Sequence, residues 1–295
     1  MTSVAKKQPR HLASSKGTND FEVLPASKLG PKATPPKKRP RWRTVVSTLL
    51  FVVAIVLFAA AGYSWWSAQQ QYAAQEEVNE KLAGYATVPS DGSEPPAVDW
   101  DGLKAVNPDV CAWLQIPGTV VNYPVYQGAT NETYLRTTAE GNYSVGGQVF
   151  LDCENTGPDL VDEQTIVYGH HLKDGSMFAQ VAAYDEQDFL DTATTVWWCT
   201  EQGNHRMTPL FAYHVTEDDE TVRQFQWATV EDFRSYLLGK LANAASQRAG
   251  AAEVIARTDR VLTLATCNYI DGKGRTVVVC VPQATYDGST ETATE

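Results

Sequence analysis

A cysteine and an arginine stand eight positions apart near the end of the chain, in the stretch TLATCNYIDGKGR (residues 263–275). Cys267 ends an apolar run, a turn-rich segment follows, and Arg275 opens a second apolar run. A thiolate is a nucleophile, and a guanidinium offers fixed N–H donors for the oxyanion formed when a carbonyl is attacked. In a hairpin the two side chains would be neighbours. The alternative is a buried structural thiol, which is common for a strand cysteine.

A nucleophilic thiol also needs a base, and the chain after its apolar N-terminal run holds four histidines: His170, His171, His205 and His214. His170 follows the apolar run QTIVYG, so we expect it at a strand end, where a barrel rim borders a cleft. Because adjacent side chains of a strand point to opposite faces, His170 and His171 cannot both address one cleft. His205 falls in a predicted polar turn, EQGNHR, where we expect it to be solvated. For His214, in FAYHV, we expect a solvent-facing or structural role.

Eight short strand-like segments must position these residues. They share β-branched and aromatic residues bounded by turn residues. Eight strands with short edges favour a closed β-barrel, so the predicted fold class is mainly β with peripheral helices. The segments, between residues 99 and 283, are CAWLQI, VVNYPVY, GQVFLD, QTIVYGH, TTVWWCT, RMTPLFAYHV, VLTLATC and RTVVVCV.

Two helical patterns interrupt the strands. The first covers residues 177–192, where apolar residues recur on one helical face. The second covers residues 229–250 and opens with Thr229 as the N-cap and the acidic Asp232 three residues later. Gly250 is the expected end of this second helix.

The N-terminal part of the chain joins a basic segment to a long apolar run. Residues 1–43 hold eleven Lys or Arg against two Asp or Glu, a net charge of +9, and residues 44–295 carry −20. Residues 44–62 carry no charge and span roughly 28 Å as a helix, close to the hydrocarbon thickness of a bilayer. The positive-inside rule keeps the basic flank in the cytoplasm and places the rest outside. A cleaved signal peptide is the alternative, but the apolar run exceeds the usual length.

These patterns predict five segments along the chain. Residues 1–43 form a disordered basic cytoplasmic tail, and residues 44–66 form a single transmembrane signal-anchor helix. Residues 67–98 form an extracellular helix and linker, residues 99–283 form the β-barrel domain, and residues 284–295 form a flexible polar tail.

Several other chemistries have no support in the sequence. The spacing of the five cysteines forms no zinc pattern, and the odd count leaves at least one thiol unpaired. Disulfides among Cys111, Cys153, Cys199 and Cys280 stay open at this point. The chain has no glycine-rich phosphate loop and no basic run outside its tail, so we expect no nucleotide and no nucleic-acid partner.

Four segments, in order, resemble segments of class B sortases, cysteine transpeptidases of Gram-positive bacteria. TLATC, with Arg275 in GRTVVV, is similar to the signature TLxTC and its downstream strand arginine. VYGHHLKDGSMF resembles the histidine segment. IPGTVVNYPVYQGATNETYLRTTAEGNYSVGGQVFLD resembles the first strands with their Asn-x-x-Tyr-Leu helix, and residues 229–250 resemble the helix inserted before the cysteine strand. The resemblance covers about residues 100–282 and implies a sortase-type β-barrel.

The resemblance also implies catalytic roles. Cys267 is the nucleophile, His170 is the general acid and base, and Arg275 binds the oxyanion or the substrate carbonyl. The first of the two adjacent histidines matches the family's catalytic one, whereas His171 takes a variable position. The implied reaction needs no metal and no organic cofactor.

A substrate groove is implied by further matches. Asn131, Leu135 and Tyr168 fall at positions that contact the sorting peptide in class B relatives. Two residues depart from the family pattern, and both concern peptide specificity rather than the catalytic chemistry. Ala265 stands where relatives often carry serine, and Asn268 replaces an acidic or hydroxyl residue.

The implied reaction is acyl transfer on a secreted protein that carries a C-terminal sorting signal. The enzyme cleaves after a threonine through a thioester and passes the protein to an amine of a peptidoglycan precursor. The alternatives are a pilin lysine as the acceptor, hydrolysis by water, and a non-catalytic binding barrel anchored in the membrane. A papain-like protease fits poorly, because its cysteine precedes its histidine and opens a helix.

Overall fold

The structure is a computed structural model that describes residues 41–89, 91–216, 219–268 and 274–289, with the backbone alone at residues 267 and 268. Contacts divide the chain into two units, Met1–Phe58 and Ala59–Glu295. The predicted cytoplasmic tail lies outside the described residues, except at positions 41–43, which begin the first helix.

Helix α1 (Arg41–Ala83) is a single continuous helix through the predicted boundary at residue 66. The most apolar part of this helix is not buried against the rest of the protein. Among the described residues, α1 is the one helix with the length and composition to cross a membrane. Further along, Gln75 and Leu82 are buried in the second unit. The Gln75 amide donates to the carbonyl oxygen of Gly147 at 3.3 Å.

All eight predicted strands are confirmed, and three additional short strands occur in the described chain. Two of these, β1 (Ala86–Thr87) and β2 (Ala97–Val98), pair only with each other. The eight predicted strands are β3 (Val110–Gln115), β4 (Asn122–Tyr126), β5 (Val149–Leu151), β6 (Gln164–Gly169), β7 (Val196–Cys199), β8 (Asn204–Thr216), β10 (Val261–Asn268) and β11 (Gly274–Pro282); the third additional strand is β9 (Ala244–Gln247).

The eight predicted strands close into a barrel. The order around the ring is β3, β4, β5, β6, β10, β11, β8 and β7, and β7 pairs back with β3. The pairs β4–β5 and β6–β10 are parallel, and the other pairs in the ring are antiparallel. Strand β9 extends the sheet beyond β8 without entering the ring. The fold is therefore the closed eight-stranded barrel that the sequence predicts.

The helices are shorter and more broken than predicted. The helix predicted at residues 177–192 is two helices, α3 (Ala179–Ala182) and α4 (Gln187–Thr192), separated by a 3₁₀ turn. Met177 precedes them with φ at 55°, outside the range of right-handed helices. Residues 131–135, predicted as a helix, form turns. The helices after α1 are α2 (Trp100–Val106), α3 (Ala179–Ala182), α4 (Gln187–Thr192), α5 (Val230–Leu241), α6 (Ala251–Ile255) and α7 (Gln283–Asp287).

The second predicted helix is right at its start and wrong at its end. Thr229 caps α5 as predicted, because its side chain accepts the Asp232 N–H. The helix stops at Leu241 rather than at Gly250, since residues 244–247 form β9 against β8 and Ser246 is buried there. The predicted flexible tail is also helical at its start, where Arg257 donates to the carbonyls of residues 285 and 286 in α7.

Strand alternation divides the apolar residues between two faces of the barrel. Leu262 and Leu264 join the interior core, to which all eight ring strands contribute. Ala265 and Val277 belong to an outer cluster in which α5 and α6 pack on β8, β10 and β11. Side chains two residues apart on β10 or β11 therefore share a face, which fixes where polar residues at the strand ends can lie.

We expect Gly169→Ala to destabilise the barrel. A Cβ at this position would lie 2.5 Å from the Cγ of Phe178, whose ring is fully buried. Such overpacking should lower the free energy of unfolding by roughly 1–3 kcal/mol. Gly203→Ala is the matched control, because a Cβ there meets nothing within 4 Å. Chemical denaturation of the detergent-solubilised chain checks both variants, and equal stability of the two would contradict the packing argument.

Candidate active site

Three neighbouring strands bring the predicted catalytic positions together. Strand β10 lies between β6, its parallel neighbour, and β11, its antiparallel neighbour. Cys267 is the Cα partner of Arg275 across the β10–β11 pair. Thr266 is the partner of Gly169, the last residue of β6, so His170 takes the next position, level with Cys267. Cys267 on β10 thus has Arg275 of β11 on one side and His170, the residue after β6, on the other.

A cleft opens on the outer face of the barrel at these strand ends. All the predicted site residues whose side chains the structure describes are in its wall. The wall consists of Asn131, Glu132, Leu135, Phe150, Tyr168, Gly169, His170, Arg223, Ala265, Thr266 and Arg275. A second depression continues from it along β11 and shares Tyr168, Arg223, Ala265 and Arg275. The side chains of Cys267 and Asn268 lie outside the described part, but position 267 follows Ala265 by two on the same strand face.

His170 is held by its ring and by its backbone. Its Nε2 lies 2.8 Å from the carbonyl oxygen of Leu135. Because a carbonyl only accepts, Nε2 carries the hydrogen and donates it, which leaves the lone pair of the neutral ring on Nδ1. The backbone carbonyl of His170 accepts the N–H of Phe178 at 2.8 Å. The turn around Leu135 therefore sets both the tautomer and the position of the imidazole.

Burial lowers the pKa of His170 below its ordinary value. The hydrogen bond to Leu135 opposes this shift, and the positive charge of Arg136 adds to it. The net direction is downward, so the imidazole is neutral at neutral pH. A neutral ring with a free lone pair is able to accept a proton from a thiol or an amine.

Asp152 is a buried acceptor that binds residues of the cleft wall, and the sequence did not single it out. Its side chain is fully buried at 0% exposure. Oδ2 accepts from Asn131 Nδ2 at 3.0 Å, from the Tyr168 hydroxyl at 2.9 Å and from Arg223 Nε at 2.9 Å. Oδ1 accepts from Arg223 Nη2 at 3.0 Å and from the backbone N–H of Glu154 at 3.0 Å. Three of the donors are side chains that line the cleft.

The charge on Asp152 is stabilised despite its burial. Burial by itself raises the pKa of this carboxyl, but hydrogen bonds from Arg223, the Glu154 N–H, Tyr168 and Asn131 together outweigh it. The net effect holds the pKa of Asp152 below its ordinary value. The buried carboxylate is therefore ionised at neutral pH.

Arg223 was also missed, for a structural reason. It lies in the polar loop after β8 and is 71 residues from its partner Asp152. No local pattern connects the two residues, because the contact exists only when the barrel closes. The sequence offers one signal for this pair: Asp152 ends the apolar strand run GQVFLD. A buried acid needs a partner, so its position indicates that some donor must lie beside it.

Three of the other four cysteines are thiols that burial makes poor nucleophiles. Cys111, Cys153, Cys199 and Cys280 are free thiols, so none of these four forms a disulfide. Burial raises the pKa of Cys111 and of Cys199 to about 12. Burial also raises the pKa of Cys280, which lies in the interior core. Thiols of this kind stay protonated and do not attack carbonyls.

The remaining histidines lie apart from the cleft wall. His171 forms a β-bridge with Met177. His205 lies in β8 rather than in the polar turn predicted from the sequence. His214 Nε2 is 3.7 Å from Asp185 Oδ2. Within the described ranges, no group of three or more His, Cys, Asp and Glu side chains is placed to hold a metal ion.

Comparison with known proteins identifies the family of the chain. Residues 114–283 match the model of the sortase domain. The chain is 32% identical over 179 residues to sortase B of Listeria monocytogenes, an alignment that covers 60% of this chain and 70% of that protein. The chain belongs to the sortase family.

Solved structures of the same class share the fold. A structure described as a sortase B–substrate complex of Staphylococcus aureus has a TM-score of 0.55 at 26% identity and covers 62% of this chain and 83% of that chain. A sortase B structure in complex with triglycine also has a TM-score of 0.55 at 26% identity, covering 62% of this chain and 84% of its own. Within its family the chain is a class B sortase, a cysteine transpeptidase.

The lowered pKa of His170 predicts a pH dependence of stability. Below about pH 6.5 the unfolded chain protonates this histidine while the folded chain resists protonation, so the free energy of unfolding falls as the pH falls. His170→Gln keeps an N–H for the Leu135 carbonyl and removes the titration. As the pH falls from about 7.5 to about 5.5, wild type should therefore lose more free energy of unfolding than the His170→Gln variant does. Denaturation at several pH values checks this prediction. It is contradicted if wild type keeps or increases its stability relative to the variant as the pH falls.

Proposed function

We propose that this sortase uses Cys267 as the nucleophile, His170 as the general acid and base, and Arg275 as the donor to the oxyanion. Its donor substrate is a secreted protein with a C-terminal sorting signal that is cleaved after a threonine. Its acceptor is an amine of the cell-wall peptide. The observation that carries the proposal is the register of β10, which sets Cys267 level with Arg275 on one side and His170 on the other.

The acylation step begins with transfer of the thiol proton of Cys267 to the neutral ring of His170. The sulfur attacks the threonine carbonyl carbon, and the resulting oxyanion accepts hydrogen bonds from Arg275. When the tetrahedral intermediate collapses, the peptide C–N bond breaks and the leaving amine takes its proton from the imidazolium. The product is a thioester on Cys267 and a neutral ring on His170.

The second step reverses these roles. The acceptor amine gives a proton to neutral His170 as its nitrogen attacks the thioester carbonyl. Arg275 again binds the oxyanion. As the new amide forms, the C–S bond breaks and the sulfur takes the proton from the imidazolium, which restores the thiol and the neutral ring. Hydrolysis follows the same route with water, so an acceptor amine must compete with water at the cleft.

A depressed pKa at His170 suits the second step and limits the first. The neutral ring is the base that the acceptor amine needs, and it predominates at neutral pH. The imidazolium needed to protonate the leaving amine forms only as the thiol proton is transferred, so it is present when a thiolate is present. The two groups therefore act as a pair rather than as independent acids.

The two sortase B structures in complex support the substrate classes. The S. aureus structure is described as a substrate complex, and the other contains triglycine, a peptide with a free amine. By similarity, we assign an extended sorting peptide to the cleft that Asn131, Leu135 and Tyr168 line. The acceptor class for this chain is then a peptide amine of the cell wall.

Membrane attachment completes the proposal. Helix α1 has the length and composition of a membrane span, and its basic N-terminal flank favours a cytoplasmic N-terminus. The catalytic barrel then lies outside the cell. This arrangement would keep the enzyme where secreted substrates emerge and where lipid-linked cell-wall precursors are assembled.

We expect Cys267→Ala to abolish peptide cleavage without unfolding the barrel. The assay uses a library of short fluorescent peptides that share one fixed threonine, with hydroxylamine as the competing amine. Wild type should form the hydroxamate at the threonine, because hydroxylamine intercepts a thioester. Cys111→Ala is the matched control and should retain activity, since burial keeps that thiol protonated. Hydroxamate formation by the Cys267→Ala variant would refute the assignment.

Replacing Arg275 should slow the chemical step. Arg275→Lys keeps the charge but loses the rigid fork of donors, and Arg275→Ala loses both. We expect kcat/KM to fall about tenfold or more for lysine and about 10²- to 10³-fold for alanine. Arg257→Lys serves as the control, because Arg257 binds the carbonyls of α7 and does not line the cleft. Equal rates for the Arg275 and Arg257 variants would exclude an oxyanion role.

A further inference from the structure

We propose that Asp152 is a positioning residue that fixes the pattern of hydrogen-bond donors and acceptors along the peptide groove. The inference rests on the proposed function, because it assigns the groove to a peptide. Asp152 itself contributes no surface to the cleft wall. It acts through Asn131, Tyr168 and Arg223, each of which lines the cleft and donates to its carboxylate.

The carboxylate decides what Tyr168 can offer a ligand. An ionised carboxylate only accepts hydrogen bonds, so the Tyr168 hydroxyl must donate its single hydrogen to Asp152. The phenol oxygen then has only lone pairs left for the groove. The Tyr168 ring also packs against the ring of Phe150, with the ring centroids 5.3 Å apart and the planes tilted by 33°. Tyr168 is therefore a positioned acceptor for an N–H group of the peptide.

The same carboxylate orients Asn131 and Arg223. The Asn131 amide is held at both ends, since its Oδ1 accepts the Cys153 N–H at 2.9 Å while its Nδ2 donates to Asp152. Arg223 gives its Nε and Nη2 donors to Asp152 and Glu154. Its Nη1 donates to no described residue, so two N–H groups remain for a carbonyl of the ligand.

The loop that carries Arg223 does not need Asp152 to stay in place. Gln164 is fully buried, and its side-chain amide donates to the carbonyl oxygens of Val222 and Gln224, on either side of Arg223. Removing the charge at Asp152 therefore releases the side chain of Arg223 rather than the loop. With Asp152 ionised, the groove wall holds an acceptor, Tyr168, and a cationic donor, Arg223, at fixed positions. This pattern complements the alternating N–H and C=O groups of an extended peptide.

Asp162 offers a matched control. It is another buried acid, at 1% exposure, and it accepts hydrogen bonds from Asn155, Thr156 and Gln226. Its pKa is also lowered by hydrogen bonds that outweigh burial. It does not line the cleft. Asp152→Asn and Asp162→Asn thus each remove a buried, hydrogen-bonded carboxylate, and only the first removes a partner of groove residues.

The test measures peptide binding without chemistry. Affinities of the fluorescent threonine library are measured by anisotropy for the full chain in detergent, in a Cys267→Ala background. We expect Asp152→Asn to weaken binding about ten- to hundredfold, since it breaks hydrogen bonds to a charged group. Asp162→Asn should leave affinity within about twofold while lowering the unfolding midpoint, because its buried hydrogen bonds lie outside the groove. Equal affinities of the two variants would overturn the proposal.

A double-mutant cycle with Tyr168→Phe shows whether Asp152 acts through the groove. Tyr168→Phe alone should weaken binding, because it removes the positioned acceptor, and it keeps the test valid if Asp152→Asn fails to fold. Combined with Asp152→Asn, the loss should be smaller than the product of the two single losses. The proposal would be contradicted if the double variant lost affinity by the full product of the two single losses, or if Tyr168→Phe left the affinity unchanged. A library peptide that binds but never yields hydroxamate with wild type would count against the proposed chemistry and not against this inference.

Discussion

The register of β10 between β6 and β11 is the constraint on which the site depends. Cys267 meets Arg275 across one strand pair, and Thr266 meets Gly169 across the other. A slip of one residue in either pair would move these positions to opposite faces of the sheet. The buried outer and inner clusters prevent that slip, because Leu264 would leave the interior core and Ala265 would enter it. Apolar packing of the barrel therefore sets the alignment of the polar positions at the strand ends.

Burial disfavours the charged form of two groups beside the cleft, but only one of them stays neutral. It lowers the pKa of His170, whose Nε2 donates to a carbonyl, so the imidazole stays neutral. Asp152 is buried more completely, yet a guanidinium, a hydroxyl and two N–H donors keep it ionised. The difference lies in the hydrogen-bond partners rather than in solvent exposure. A neutral base and a fixed anion can thus stand on the same outer face of one barrel.

The eight barrel strands, and the positions of Cys267, His170 and Arg275 at their ends, could be predicted because strand alternation and turn residues are local signals. Helix ends were less predictable, since β9 replaces the end of a predicted helix through pairing with β8. The partnership of Asp152 with Arg223 could not be predicted, because its two residues are 71 positions apart. The proposed roles of Asn131, Leu135 and Tyr168 came from family resemblance, and the structure adds that two of them are bound to Asp152.

The most direct test of the account is the covalent intermediate itself. Wild-type enzyme is incubated with the threonine library without an added amine and quenched in acid. Peptide mapping by mass spectrometry then locates the acyl group. The proposed mechanism predicts an adduct that ends in threonine, bound to Cys267 and released by hydroxylamine. An adduct on another residue, or product formation that never passes through a modified Cys267, would contradict the mechanism.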